Sequence, residues 1–213
     1  LLFDWDGYQL AGYEVMPVQT VTISDSTVTP AHTPTPPVIK TKGEISLTFD
    51  KTDAKVGDVI KATLNAVDFS SIAGYQVSVK YDPEVLQPIY EDGTPYERGS
   101  MPEYGDLLQK KFSSTDMVEN DLKNGILTFG RIYMNISTYK DTGKPETTGT
   151  LAIIRFKVLN TGSTNVSFYK TPALIDSVDG TLIFDWDGNQ LRNYKVIPTQ
   201  TINISDGATT PTY

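Results

Sequence analysis

The chain has 213 residues, no cysteine, one histidine and a formal net charge of −8. Without cysteine it has no disulfide, no thiolate nucleophile and no cysteine-ligated zinc. The acidic balance argues against nucleic acid or an anionic membrane surface as the main partner, because both attract basic proteins. No apolar stretch of the sequence is long enough to span a bilayer.

A long internal repeat organises the chain. The segment Leu1–Ser24 recurs as Leu182–Ser205, and 15 of the 24 aligned positions are identical. Each copy is followed by a stretch rich in Thr and Pro, a composition typical of extended linkers. A constant offset between such copies indicates tandem modules.

These observations predict the domain organisation. We expect the last strands of a preceding module at 1–24, a linker at 25–42, one complete module at 43–205 and the start of the next linker at 206–213. Because the first residues already read as a strand, we expect the natural protein to extend beyond this chain, so the lack of a signal peptide says nothing about its compartment.

Alternating apolar positions predict the strands of the complete module. The first three strands place the following residues on one face each: Ile45, Leu47 and Phe49; Ile60, Ala62, Leu64 and Ala66; Tyr75, Val77, Val79 and Tyr81. Further strands are predicted at Ile126–Met134, Thr150–Leu159, Thr164–Phe168, Thr181–Phe184 and Val196–Ile204. Gly, Pro, Asp and Asn occupy the gaps, as turns require.

One stretch, from Asp92 to Asn124, loses this alternation. It contains Pro95 and Pro102, and a short helix at Tyr104–Lys111 or at Ser114–Leu122 fits its composition. Many short strands with one helical excursion predict an all-β fold in which two antiparallel sheets form a sandwich.

Candidate catalytic residues do not assemble into a recognisable site. The single histidine, His32, lies in the predicted linker, where nothing positions it beside a nucleophile. Most carboxylates fall in predicted turns, which favours a solvated surface over a two-acid glycosidase. We therefore predict that the chain is not an enzyme.

Two other features each allow two interpretations. Asp185 and Asp187, with Asp176 and Asp179 nearby, fit either a calcium site or a hairpin in which Asp187-Gly188 turns the chain, and the EF-hand spacing is absent. The twelve tyrosines and two tryptophans fit either core packing or a carbohydrate-binding platform.

The outward face of three predicted strands is small, neutral and apolar. It comprises Gly74, Gln76 and Ser78 on one strand, Thr128, Gly130 and Ile132 on a second, and Leu151 and Ile153 on a third. Such a surface is either an ordinary mixed sheet surface or a face that binds another protein.

Several motifs, in order, resemble the cohesin modules of cellulosomal scaffoldins. They are AKVGDVI at 54–60, AGYQVSVKYDPEVL at Ala73–Leu86, NGILTFGRIY at Asn124–Tyr133, GTLAIIRFKV at Gly149–Val158 and FDWDGNQL at Phe184–Leu191. The last three look like the type II subclass. The likeness extends from Gly43 to Ser205, and the Thr/Pro linker and the second copy also match the build of a scaffoldin.

The resemblance implies a nine-stranded jelly-roll β-sandwich with a short helix and β-flap interruptions, one of them including Lys140–Thr148. It implies a non-catalytic, extracellular or cell-surface module that binds a type II dockerin to assemble or anchor a cellulosome. Calcium is then expected on the dockerin, with no cofactor or metal on this chain. The alternative is a carbohydrate-binding module of a secreted polysaccharide-degrading protein.

The family binds through its third, fifth, sixth and eighth strands, which we map onto Gly74–Lys80, Ile126–Tyr133, Leu151–Arg155 and the segment running into Phe184. The resemblance therefore predicts these dockerin-binding residues: Gly74, Gln76, Ser78, Thr128, Gly130, Ile132, Leu151, Ile153 and Arg155. The near-identity of 1–24 and 182–205 further predicts self-association by strand swapping through residues 1–24.

Overall fold

Alternating side chains fold the module into short strands that pair mostly in antiparallel fashion. The computed structural model describes residues 43–109 and 114–206. Within them lie one α-helix, α1 (Ile136–Asp141), two 3₁₀ turns (Leu122–Asn124 and Pro172–Leu174) and fifteen strand segments. The strands are β1 (Glu44–Phe49), β2 (Asp53–Lys55), β3 (Val59–Val67), β4 (Gly74–Lys80), β5 (Leu86–Ile89), β6 (Glu103–Tyr104), β7 (Ser114–Asp121), β8 (Ile126–Tyr133), β9 (Gly149–Val158), β10 (Gly162–Asn165), β11 (Ser167–Phe168), β12 (Thr181–Phe184), β13 (Gln190–Leu191), β14 (Lys195–Val196) and β15 (Thr201–Ser205).

The strands form two main sheets and a small third one. Sheet 1 has the order β14-β1-β3-β9-β5, with β6 also paired to β9. Sheet 2 has the order β13-β12-β4-β8-β7, with β11 also paired to β4. The small sheet has the order β10-β15-β2. The predicted all-β sandwich with one short helix is confirmed, whereas the strand count of nine is not, because several segments have only two to four residues.

The core lies between the apolar faces of the two main sheets. Ile60 and Leu64 from sheet 1 and Tyr75 and Phe129 from sheet 2 are fully buried. The predicted alternation is confirmed in β1, β3 and β4, except that Phe49 is only half-buried. Burying aliphatic and aromatic side chains stabilises a fold by roughly 1.5–3 kcal/mol each, so this alternation determines which face of each strand lies inward.

One strand position in each main sheet is interrupted by an excursion of the chain. In sheet 1, β5 and β6 pair end to end along β9, and residues 90–102 leave the sheet between them. In sheet 2, β11 and β12 pair end to end along β4, and residues 169–180 leave it. The predicted interruption at Lys140–Thr148 is wrong, because that stretch contains the end of α1 and the connection to β9.

The predicted helix is in a different place. Ser114–Asp121 is strand β7, paired with β8 along its whole length, and Tyr104 belongs to β6. The polar composition that suggested a helix is that of an edge strand, in which Thr115, Asp116 and Glu119 are exposed to solvent. The observed helix begins after Asn135, whose side-chain oxygen accepts a hydrogen bond of 3.2 Å from the Thr138 amide.

The FDWDG segment forms the hairpin between β12 and β13. The Asp185 carboxylate accepts hydrogen bonds from the backbone amides of Asp187 (2.9 Å) and Asn189 (2.8 Å). Gly188 takes a positive φ of 81° at the turn. The Trp186 ring packs against Tyr139, with 5.9 Å between ring centroids. The hairpin interpretation thus accounts for these residues.

The chain from β12 to β15 supplies strands to all three sheets: β13 and β14 are edge strands of sheets 2 and 1, and β15 is the central strand of the small sheet. The predicted module tail at 1–24, the linker at 25–42 and the terminal residues 207–213 lie outside the described residues. Within the described part of the chain, no helix has the length and apolar character needed to cross a membrane.

Candidate functional site

The outer face of sheet 2 is the side of β12, β4, β8 and β7 that points away from the core. Because Tyr75, Val77 and Val79 are buried in the core, the alternate residues of β4 point outward. Pairing places Gly74 opposite Ile132 and Phe184. We call this surface the sheet 2 face, and it comprises Gly74, Gln76, Thr115, Met117, Ile126, Gly130, Ile132, Leu182 and Phe184.

Two glycines keep the centre of the sheet 2 face flat. A Cβ atom at Gly74 would lie 2.7 Å from Cγ1 of Ile132, so that side chain lies directly over the glycine. A Cβ atom at Gly130 would lie 2.3 Å from the carbonyl oxygen of Tyr75. Neither position has room for a larger residue, because β4 and β8 approach closely on this face.

The apolar residues of the sheet 2 face are partly accessible to solvent. Met117, Ile126, Ile132, Leu182 and Phe184 are all half-buried, whereas most residues on the opposite side of β4, β8 and β12 are fully buried. A flat strip of partly exposed apolar side chains from four neighbouring strands is the surface type that binds another protein.

One end of the sheet 2 face is charged. Glu119 and Asp121 are exposed on β7, and Lys80 lies on the neighbouring part of β4. The Asp121 carboxylate accepts hydrogen bonds from the backbone amide (3.2 Å) and side-chain amide (2.7 Å) of Asn124, which lower its pKa. Asp121 is therefore ionised at neutral pH and contributes negative charge at this end.

Four of the predicted contact residues lie in the sheet 2 face, whereas Ser78 and Thr128 are buried. Gly74, Gln76, Gly130 and Ile132 come together there as predicted, with Gln76 and Ile132 partly exposed and the two glycines buried. Ser78 is fully buried, Thr128 is 6% exposed, and their hydroxyls hydrogen-bond to each other. The excursion at 169–180 runs beside Ser78, and its Gly180 carbonyl accepts a hydrogen bond of 2.9 Å from the Ser78 amide. These two residues are not available to a partner.

The placement of Leu151, Ile153 and Arg155 beside β4 and β8 is wrong. All three belong to β9, which pairs with β3, β5 and β6 in sheet 1. Leu151 is 1% exposed and packs in the core at an irregularity in the pairing of β3 with β9. Ile154 and Phe156 are buried in the core. Because side chains alternate along a strand, Ile153 and Arg155 point to the outer side of sheet 1.

This error follows from leaving Ser114–Asp121 out of the predicted strands. Counting Ser114–Asp121 as a strand moves Ile126–Tyr133 one place further along and removes β9 from the binding sheet. The residues missed from the sheet 2 face were Thr115, Met117, Leu182 and Phe184. For Leu182 and Phe184 a signal was present, since they flank the buried Ile183 in a short alternating segment.

Comparison with known proteins identifies the family. The family described as the cohesin domain matches residues 45–183. A type II cohesin domain from the cellulosome of Acetivibrio cellulolyticus is 36% identical in sequence, with a TM-score of 0.73 over 76% of this chain and 95% of that one. Type II cohesin A11 from Bacteroides cellulosolvens is 37% identical, with a TM-score of 0.73 over 76% and 99%.

Two further relatives add context. A type II cohesin–X–dockerin complex from Acetivibrio cellulolyticus contains a chain that is 34% identical, with a TM-score of 0.74 over 77% of this chain and 100% of that one. Cell surface glycoprotein 1 of Acetivibrio thermocellus is 35% identical over 199 residues, which are 92% of this chain but 8% of that protein. The chain belongs to the cohesin domain family, and the predicted type II resemblance is confirmed.

Proposed function

We propose that this module is a non-catalytic part of a scaffoldin and binds a type II dockerin through the sheet 2 face. The observation that carries this proposal is the flat, partly exposed apolar strip across β12, β4, β8 and β7. The solved type II cohesin–X–dockerin complex, whose matching chain is 34% identical, supports the identity of the partner.

The sheet 2 face suits a protein partner better than a small ligand. It is built on regular strands, so its shape is fixed before binding. Gly74 and Gly130 leave no projecting side chains at its centre, while Ile132, Leu182 and Phe184 offer apolar area. Apolar centres with polar rims are typical of protein interfaces, and here Gln76 and Thr115 supply polar groups.

The same proposal covers location and cofactor. The resemblance to a cell surface glycoprotein supports a place outside the cell or on its surface. Calcium would be bound by the dockerin, so chelation is expected to abolish binding by unfolding the partner and to leave this module folded. The two readouts are dockerin binding by calorimetry and the thermal unfolding of the cohesin alone.

Matched isoleucines on the two sheets test the proposed face. Ile132→Asp puts a charge into the apolar strip and is expected to weaken binding to a purified type II dockerin by at least about thirtyfold, the effect of losing a hot-spot residue of about 2 kcal/mol. Ile153→Asp, at a similarly half-buried position of sheet 1, is expected to leave the affinity unchanged. The measurement is isothermal titration calorimetry of folded variants.

The reverse result, with Ile153→Asp weakening the complex and Ile132→Asp having no effect, would move the binding face to sheet 1. Absence of binding by the unsubstituted module to every type II dockerin tested would contradict the proposed partner itself.

A further inference from the structure

A pocket of about 620 Å³ opens where the edge of sheet 1 is interrupted between β5 and β6. We call it the flap pocket; Tyr90, Glu91, Tyr96, Glu103, Tyr104 and Arg155 are among the residues that line it. Its volume is within the range of about 300–1,000 Å³ that is usual for small-molecule sites. It lies on the opposite sheet from the sheet 2 face and has no part in the function proposed above.

Arg155 forms the polar floor of the flap pocket. Its side chain is only 10% exposed, and its guanidinium pairs with the carboxylates of Glu103 and, at 3.2 Å, Glu91. A guanidinium has five N–H donors, and these two ion pairs do not use all of them. Each carboxylate likewise keeps acceptor positions beyond its bond to Arg155. The floor therefore offers donors from a buried guanidinium beside acceptors from two more exposed carboxylates.

Tyrosine rings form the walls, and neighbouring groups hold them in place. Tyr90 and Tyr104 are each 39% exposed. The Tyr90 ring packs on Tyr96 with 4.7 Å between centroids. The Tyr104 ring has the Arg131 guanidinium 4.1 Å from its centroid, and its hydroxyl donates a bond of 2.6 Å to Asp116. Rings fixed in this way lose little conformational freedom when a ligand packs against them.

We propose that the flap pocket binds a neutral oligosaccharide. A pyranose ring has apolar C–H faces and a rim of hydroxyl groups that both donate and accept hydrogen bonds. The faces match the tyrosine walls, and the hydroxyls match a floor that contains carboxylates and a guanidinium.

The charge arrangement disfavours two other ligand chemistries. A cation would meet carboxylates that already pair with Arg155, and it would approach that guanidinium. An anion would meet Glu91, Asp92 and Glu103 against the one arginine. Glu91 and Glu103 both pair with Arg155, so the proposal is for binding of a sugar without its cleavage.

The test is an NMR titration of the full chain with cellotetraose, xylotetraose and trilysine as probes. We expect at least one tetrasaccharide to shift amide signals within 89–104 and at Arg155, and trilysine not to shift them. Tyr90→Ala is expected to weaken the sugar affinity at least tenfold. Tyr169→Ala, which removes an equally exposed tyrosine (40%) at the edge of sheet 2, is expected to leave it unchanged.

Failure of both tetrasaccharides to shift these signals, shifts centred elsewhere, or a response to trilysine alone would each overturn the proposal. Equal weakening by Tyr90→Ala and Tyr169→Ala would do the same. Dockerin binding by Tyr90→Ala, expected to be unchanged, is measured in parallel, so failure of the saccharide site is distinguishable from failure of the dockerin site.

Discussion

The outer faces of the two main sheets come from similar alternating strands and yet differ in chemistry. On sheet 2, glycines and half-buried apolar residues form a flat strip. On sheet 1, Ile153 lies beside Thr63, Arg155 lies beside Lys61, and the edge opens into the flap pocket. Alternation therefore identifies the residues that point away from the core, but it does not identify the sheet to which they belong.

The largest expected effect concerns the tyrosines that join the two sheets. Tyr81, which follows β4, packs on Phe156 of β9, and Tyr194, which precedes β14, donates a 2.8 Å hydrogen bond to the Thr181 carbonyl of β12. Burial raises the pKa of both tyrosines from 10.0 to about 12. The unfolded chain ionises first, so stability is retained below about pH 10 and lost as the pH rises towards 12.

Alkaline unfolding is measured by circular dichroism together with the absorbance of tyrosinate. We expect ionisation of these tyrosines to coincide with loss of the sandwich. A module that stays equally resistant to urea at pH 8 and at pH 11.5 would contradict their role in joining the sheets.

A second prediction concerns the close approach of β4 and β8. Gly130→Ala places a Cβ atom against the Tyr75 carbonyl oxygen, and we expect it to lower the free energy of unfolding by about 1–3 kcal/mol through overpacking. Gly99→Ala is the control, because no atom lies within 4 Å of its added Cβ. Equal urea midpoints for the two variants would show that sheet 2 has space at Gly130.

Much of the fold was predictable because burial imposes a period of two on strands. The alternation in β1, β3 and β4 and the bounds of β12 follow directly from that pattern. Strand β7 was not predicted, because an edge strand with a solvated side carries polar residues such as Asp116 and Glu119. Such a polar composition is also compatible with a helix. The pairing of β9 with β3 depends on contacts between distant residues, which no local pattern encodes.

The candidate site was predictable only in part, for the same reason. Gly74, Gln76, Gly130 and Ile132 lie on two strands that were correctly placed in the same sheet. Ser78 and Thr128 have the right alternation but are buried beside the excursion at 169–180. The flap pocket needs β5, β6 and β9 to meet, so its residues, spread from 89 to 155, gave no common signal.

The smallest effect concerns the repeat. Residues 182–205 supply strands to all three sheets, and 1–24 share 15 of 24 aligned positions with them, so we expect 1–24 of one molecule to compete for those strand positions in another. Light scattering after size exclusion should then show some dimer at high concentration for the full chain and only monomer after deletion of 1–24. Identical masses for both chains would contradict strand exchange.

The most direct test of the central claim is to map the dockerin-binding face on the module itself. Hydrogen exchange of the module, free and saturated with a type II dockerin, reports which strands the partner covers. We predict new protection in β4, β7, β8 and β12 and none in residues of β9. Protection of β9 with unchanged exchange in β7 and β8 would contradict the assignment of binding to sheet 2.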